Sequence, residues 1–438
     1  MKRKRRRRGI SLGSVFMLLL TALVLLLSLG FLAMIAGDGL YEKTGAFIRS
    51  LSEQGLFEEA AAPENSAAPA AAAAIASYII EETASPAPQT TPKPVQKPVT
   101  IELAAAGTIY APKAVRESAQ TGGQYDFSPV FNGLGDTLRE ADLAIASLET
   151  TTAGKDKGFG NYNTAPEILA ALRESGVDLL SLATEHALDK GYEGLDITIS
   201  ELTANGLLYA GAYPDGRNTG ATMVSIDGVQ VAVLAYTYGL SEDGMQKTDQ
   251  DSRSAIPLLN TEQMIRDITQ ARVAGANLVV VLPHWGTKNK ADTPDALRRM
   301  ARELAAAGAD VILGSHPNVA LGTERLNVTR ADGLEYEAVV CYSLGCLLTD
   351  ARTEENTAGM AAHLSVTYDP QTRRATLGDL YCTPVYIARQ REEGQAVYRV
   401  VDAESAQAIE ALEESERQAA REAVEIIRSA CKEQEGQG

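Results

Sequence analysis

From Val99 onward, short apolar runs alternate with stretches of helical periodicity, and this alternation leaves few architectures open to the chain. The runs VTIELAAAG (99–107), LAIASLE (143–149), LLSLA (179–183), VQVAVLAYT (229–237), LVVVLPH (278–284), DVILGSH (310–316) and AVVCYSL (338–344) read as strands. Helices are expected between them, near 128–140, 165–175, 192–205, 261–275 and 294–307. A strand that is apolar almost throughout is covered on both faces, which indicates an α/β sheet with helices packed on it. The span 99–390 is long enough to bury a substantial core as one domain. Within it, residues 363–387 read as closing strands around a turn at Asp369-Pro370-Gln371. The segment 391–438 is expected to add a strand and, over 403–432, a polar helix with a thin apolar stripe and a frayed end.

The first residues predict a different environment. Positions 1–9 carry Lys2, Arg3, Lys4 and Arg5 to Arg8, and no charge follows from Ile10 to Ala36. As a helix that run would be about 40 Å long, more than a bilayer core requires. The expectation is a single transmembrane helix at 10–36. Its basic flank stays in the cytoplasm, and the main domain lies outside the plasma membrane. A cleaved signal peptide is the rival reading. A juxtamembrane segment (37–58) and an Ala-, Pro- and Thr-rich linker (59–98) follow; the linker composition cannot bury a core and reads as disordered.

The formal net charge is −17. Removing the seven basic residues of the tail leaves −17 − 7 = −24, a balance that argues against nucleic acid as a partner. Four cysteines, Cys341, Cys346, Cys382 and Cys431, all fall in the last quarter of the chain, so this is no disulfide scaffold. A bridge from Cys341 to Cys346 or to Cys382 is the pairing considered.

Polar residues gather where the strands end. Ser147 and Glu149 close the second strand, and Glu185, His186 and Asp189 follow the third. His284 and Trp285 close the fifth, His316 and Asn318 follow the sixth, and Ser343 closes the seventh. Ligands of open α/β sheets bind beyond the carboxyl ends of strands. Three of the four histidines stand at such ends, as a metal or acid–base site requires. Asp189 orients His186 or caps the next helix. Trp285 and Ser343 are candidates for substrate contact, with packing over the rim as the other role for Trp285. His363, in an alternating strand, reads as structural.

The stretches ADLAIASLE, GVDLLSLATEHALDKGYEGL, LVVVLPHWG, GADVILGSHPNVALGTE and VVCYSLG, in this order, resemble the CapA-type capsule biosynthesis proteins. That family is linked to poly-γ-glutamate synthesis and is similar to the calcineurin-like metallophosphatases. The resemblance implies a two-sheet α/β/β/α sandwich over roughly 99–390. It also implies a centre of two divalent ions held by loops at strand ends, with a histidine beside them to protonate a leaving group.

Several positions depart from the family pattern. Thr108 stands where the resemblance implies Asp, Ser147 and Thr184-Glu185 where it implies Asn, Asn318 where it implies His, and Cys346 where it implies Asn. A neutral Thr hydroxyl is a poor ligand for a divalent cation. The expectation is therefore one ion (Mn, Zn or Mg) or none, held by Glu185, His284, His316 and Asn318, with His186, Glu149 and Asp189 in the catalytic roles. Two functions compete: a degenerate domain that binds a cell-envelope polymer or capsule assembly proteins, and an active metal-dependent hydrolase using His186, His284 and His316.

Overall fold

The computed structural model describes residues 97–214, 220–330 and 333–432. The basic tail, the apolar run at 10–36, the juxtamembrane segment and nearly all of the linker lie outside the described residues. Among the described residues, no helix is long and apolar enough to cross a membrane.

Among the described residues, sixteen strands form in chain order. They are β1 (Val99–Ile109), β2 (Gln120–Thr121), β3 (Gln124–Tyr125), β4 (Leu143–Leu148), β5 (Leu179–Ser181), β6 (Leu208–Ala210), β7 (Thr222–Ile226) and β8 (Val229–Thr237). After them come β9 (Leu278–His284), β10 (Val311–Leu313), β11 (Thr323–Thr329), β12 (Glu335–Cys341), β13 (Cys346–Leu348), β14 (Ala358–Asp369), β15 (Arg374–Glu392) and β16 (Gln395–Asp402). One sheet runs β16-β15-β14-β1-β4-β5-β6, with β13 also paired to β1; the other runs β11-β12-β10-β9-β8-β7. The inner pairings β1–β4–β5–β6 and β12–β10–β9–β8 are parallel, whereas β14, β15, β16, β11 and β7 pair antiparallel.

Side-chain alternation explains why these strands are apolar throughout. Ile101, Leu103 and Ala105 of β1 face Val231, Val233, Leu278 and Val280 of the other sheet in a shared core. Ala104, Ala106 and Ile109 point the other way, into a core with α1 (Glu167–Glu174) and α2 (Gly191–Ala204). On the far side, Ala232, Leu234, Val279 and Val281 meet α3 (Thr261–Val273) and α4 (Asp295–Ala307). The layers are thus α/β/β/α, the metallophosphatase-like arrangement expected. In α4, Leu297, Ala301, Leu304 and Ala305 recur at helical spacing and bury one face, and Gly308 ends the helix at φ 110°. A fifth helix, α5 (Glu414–Cys431), lays Ala420, Ala423, Val424 and Ile427 on the inner core beside β14 and β15.

Several elements differ from expectation. Only Ser128–Phe131 of the helix expected at 128–140 forms, because Gly133 abuts Val401 too closely for any side chain and Gly135 sits at φ 58°. The strands β2, β3, β6, β7, β11 and β13 were not expected; each sits at a sheet edge or is no more than three residues long. The helix expected at 403–432 is broken into Ala406–Glu410 and Glu414–Cys431. The cysteine pairing is corrected as well: Cys382 bonds Cys431, pinning α5 to β15, while Cys341 and Cys346 are buried and unbridged. Cys341 lies in β12 of one sheet and Cys382 in β15 of the other, so that pairing would have had to cross the sandwich.

Candidate metal centre

The carboxyl ends of the parallel strands of both sheets meet along one rim. Registers align Thr108 with Ser147 and Ser147 with Ser181 in the first sheet, and Thr237 with His284 in the second. His284 pairs across to Ser315. The sheets touch where Ser147 Oγ lies 3.4 Å from Ser315 Oγ.

Glu185 is the centre of the cluster. Its Oε2 accepts hydrogen bonds from His284 Nε2 and, at 3.2 Å, from His316 Nδ1. Its Oε1 is 3.5 Å from His186 Nε2. Burial opposes charge on this carboxyl, but the bonds from the two imidazoles outweigh it and hold Glu185 well below the usual carboxylate range. His284 is fully buried, and that burial lowers it to about 4, so its ring is neutral. Its Nδ1 lies 2.9 Å from Ser315 Oγ. A hydroxyl can donate or accept, so Ser315 supports either tautomer of His284 without moving.

His186 sits at the edge of the cluster. Its Nδ1 is 2.9 Å from Asp189 Oδ2. Ser241 Oγ donates to Asp189 Oδ1, and Lys247 Nζ donates to the Asp189 carbonyl at 2.7 Å. The ring of Tyr162 stacks on His186, with centroids 3.2 Å apart and planes 8° apart. A cavity of about 360 Å³ opens here, bounded by Tyr162, His186, Asp189 and Ser241. Asp189 therefore orients His186. It does not cap α2, which has no side-chain cap.

Glu149 is fully buried behind this group. Its Oε1 accepts from Lys288 Nζ at 3.4 Å, and its Oε2 has no partner among the described residues. Burial and the nearby Glu185 charge push its carboxyl up, and the Lys288 ammonium opposes that rise. Five more side-chain oxygens are buried without partners among the described residues, those of Thr108, Thr152, Thr164, Thr184 and Asn318. Orphaned polar atoms are rare in folded interiors, and those of Thr108 and Asn318 stand with Glu149 at strand ends of the rim.

Two sets of ligand atoms each lie within 4.8 Å of one another: Glu185, His284 and His316, and Glu149, Glu185 and His186. Two imidazoles and a carboxylate suit a divalent ion such as Zn or Mn, so the first set fits one. Asn318 offers its orphaned oxygen from the same loop as His316.

Not every expected residue joins the rim's chemistry. Trp285 is fully enclosed among Tyr342 and the helix-facing core, with Nε1 donating to the Tyr342 carbonyl at 2.9 Å. It lines no groove; a large apolar ring next to a strand end was filled into the core. Ser343 is also fully buried and donates to the Val319 carbonyl at 2.8 Å, which ties two loops together and leaves no hydroxyl for a substrate. Conversely, Lys288, Tyr162, Tyr238 and Ser241 belong to the rim and were not foreseen. Tyr238 stands 4.6 Å from His316, ring to ring. A larger cavity, about 720 Å³, lies around Arg272, Asn277, Asp310 and Tyr336 at the opposite strand ends and contains none of these ligands.

A family profile described as "Bacterial capsule synthesis protein PGA_cap" matches residues 102–351, which include every rim residue named above. The chain belongs to this family. The capsule biosynthesis protein CapA of Bacillus anthracis is 26% identical over 52% of this chain and 55% of its own. The PGA biosynthesis protein CapA of Bacillus subtilis (strain 168) is 30% identical over 43% of this chain and 47% of its own. The chain spans about half the length of these curated relatives. Among solved structures, the calcineurin-like phosphoesterase YfkN from Bacillus subtilis overlaps 76% of this chain and 99% of its own, at 12% identity and a TM-score of 0.40. A Mycoplasma pneumoniae phosphatase overlaps 66% and 94%, at 12% identity and a TM-score of 0.37. The layer order of the PGA_cap chain described above rests on its own strand pairings.

Proposed function

We propose that this chain acts outside the cytoplasm in the biosynthesis of a capsule polymer of the poly-γ-glutamate type, holding the polymer at a rim built for one divalent ion. The Glu185–His284–His316 set carries this reading: three ligand atoms converge at a rim whose first strand places Thr108 near its carboxyl end. The names of the CapA relatives supply the polymer class. The apolar run at 10–36 with its basic flank supports a plasma-membrane tether with the domain outside. The Cys382–Cys431 bond supports an oxidising location.

An ion bound by Glu185, His284 and His316 would supply positive charge for carboxylate or carbonyl oxygens of the polymer. The protein's own residues do the rest. Ser315 fixes the His284 ring, Ser241 and Asp189 fix His186, and Tyr162 covers the His186 face. Binding without turnover is the first reading, because neutral Thr108 and Ser147 leave the rim short of the charge that a second ion needs.

Hydrolysis is the second reading, and one observation favours it. The Ser241–Asp189–His186 chain turns Nε2 of His186 toward the cluster, where a general acid would stand. The two readings separate in one experiment on the full-length chain. Metal content is measured, and chain-length change in poly-γ-glutamate and release from phosphoesters are followed with and without Mn²⁺ or Zn²⁺. One bound ion with polymer binding but no cleavage is the expected result. Turnover abolished by His284→Ala establishes the hydrolase instead, and no ion with no polymer binding removes both.

A further inference from the structure

The two ligand sets at the rim share Glu185 but differ in what already faces them. Among the described residues no lysine or arginine bonds Glu185, His284 or His316, whereas one bonds Glu149 of the other set. Lys288, on the loop after β9, brings Nζ to 3.4 Å from Glu149 Oε1 and 5.9 Å from the Tyr162 ring centroid. Its side chain is 39% exposed, so the stem comes in from solvent and the ammonium points at a carboxylate that is 1% exposed.

We propose that Lys288 is the resident cation of the second set: its ammonium balances Glu149, keeps a divalent ion out, and limits the rim to the one ion held by Glu185, His284 and His316. The inference rests on the one-ion reading above. A buried carboxylate must be balanced by a proton, a metal or a neighbouring cation. Lysine presents a compact point charge with three donors and can meet a single carboxylate oxygen as a metal would. A divalent ion in the same set would lie beside that ammonium in a buried setting, where like charges repel strongly. Glu149 Oε2 and Thr108 Oγ1 are both buried without a hydrogen-bond partner among the described residues, and the Glu149 N–H donates to the carbonyl of Ile109, next to Thr108.

The test uses the full-length chain in detergent. After chelation, thermal unfolding of the wild type, Lys288→Met, Glu149→Gln and the double variant forms a cycle. Lys288→Met is expected to lower the midpoint by about 3 °C or more, and adding Glu149→Gln is expected to restore it. Independent, additive effects overturn the proposal. Mn²⁺ is then titrated and followed by electron paramagnetic resonance. The wild type and Lys288→Arg are expected to take one ion, and Lys288→Met two, with a spin-coupled signal. Two ions in the wild type, or one in Lys288→Met, overturn the exclusion. A wild type that takes no Mn²⁺ while the cycle still couples Lys288 to Glu149 removes the one-ion reading and leaves Lys288 as the counter-cation.

Discussion

His186 Nδ1 lies 2.9 Å from Asp189 Oδ2, three residues further along the chain. Asp189 accepts at both carboxyl oxygens, from His186 Nδ1 and from the Ser241 hydroxyl, so it favours a proton on Nδ1 and turns Nε2 toward Glu185. In Asp189→Asn the amide can present either a donor or an acceptor. Nitrogen NMR of the histidine rings should show one tautomer of His186 in the wild type and a mixture in the variant. An unchanged spectrum would mean that Asp189 does not set the ring.

Metal affinity should depend on Glu185 more than on any other carboxylate. Glu185→Ala removes the only negative ligand between His284 and His316. Losing an outer partner of a ligand costs roughly 10–100-fold in affinity, and loss of the ligand itself should exceed that. Calorimetric titration with Zn²⁺ or Mn²⁺ measures it. Affinity within threefold of the wild type would place the ion elsewhere.

The sulfur bridge should carry much of the C-terminal stability. Cys382 and Cys431 close a loop of 49 residues, which in the chain-entropy view stabilises the fold by about 4 kcal/mol. Cys431→Ser should lose most of that in urea unfolding, and reductant should do the same to the wild type. The thiols of Cys341 and Cys346 should stay unreactive until the protein unfolds, because burial pushes both up and encloses them.

Acid should weaken the fold through His363 as well as His284. His363 is half-buried, 3.3 Å from Thr383 Oγ1, and burial lowers it although Glu140 and Asp402 oppose the shift. With the folded value below the unfolded one, the unfolded chain binds the extra proton first. Stability is then full above about pH 6.5 and falls as pH drops toward the folded value. His363→Gln should flatten that part of the chelated protein's stability profile. A profile identical to wild type would exclude His363 as a contributor.

At the opposite strand ends, Arg272 bonds Asp310 Oδ2 at 2.5 Å, the Tyr336 hydroxyl at 2.6 Å and the Asn277 carbonyl at 2.8 Å. Arg272→Met leaves Asp310 buried without its cation, a loss of about 3 kcal/mol. Chemical denaturation should show that loss while metal binding stays unchanged.

Much of this was readable in the residues. The apolar runs of the inner strands were readable because those strands are covered on both sides, and that property survives any choice of partners. Glu185, His284 and His316 were readable because parallel strands deliver their carboxyl ends to one place. Lys288, Tyr162 and Ser241 were not, since each stands on a loop whose course the strand pattern does not fix. Trp285 and Ser343 misled for the opposite reason: both lie next to rim residues in sequence, yet their side chains point into the core. The Cys382–Cys431 pair depended on where α5 docks, which a thin apolar stripe does not specify.

Two residues of the Ser315–Asn318 loop hold left-handed backbone, His316 at φ 95° and Asn318 at φ 59°. Asn tolerates this readily, but His does not, and such a conformation costs on the order of 1–3 kcal/mol. The surrounding sandwich holds both residues there, so the direction in which this loop presents His316 and Asn318 is set by packing against its neighbours and not by the preferences of the loop itself.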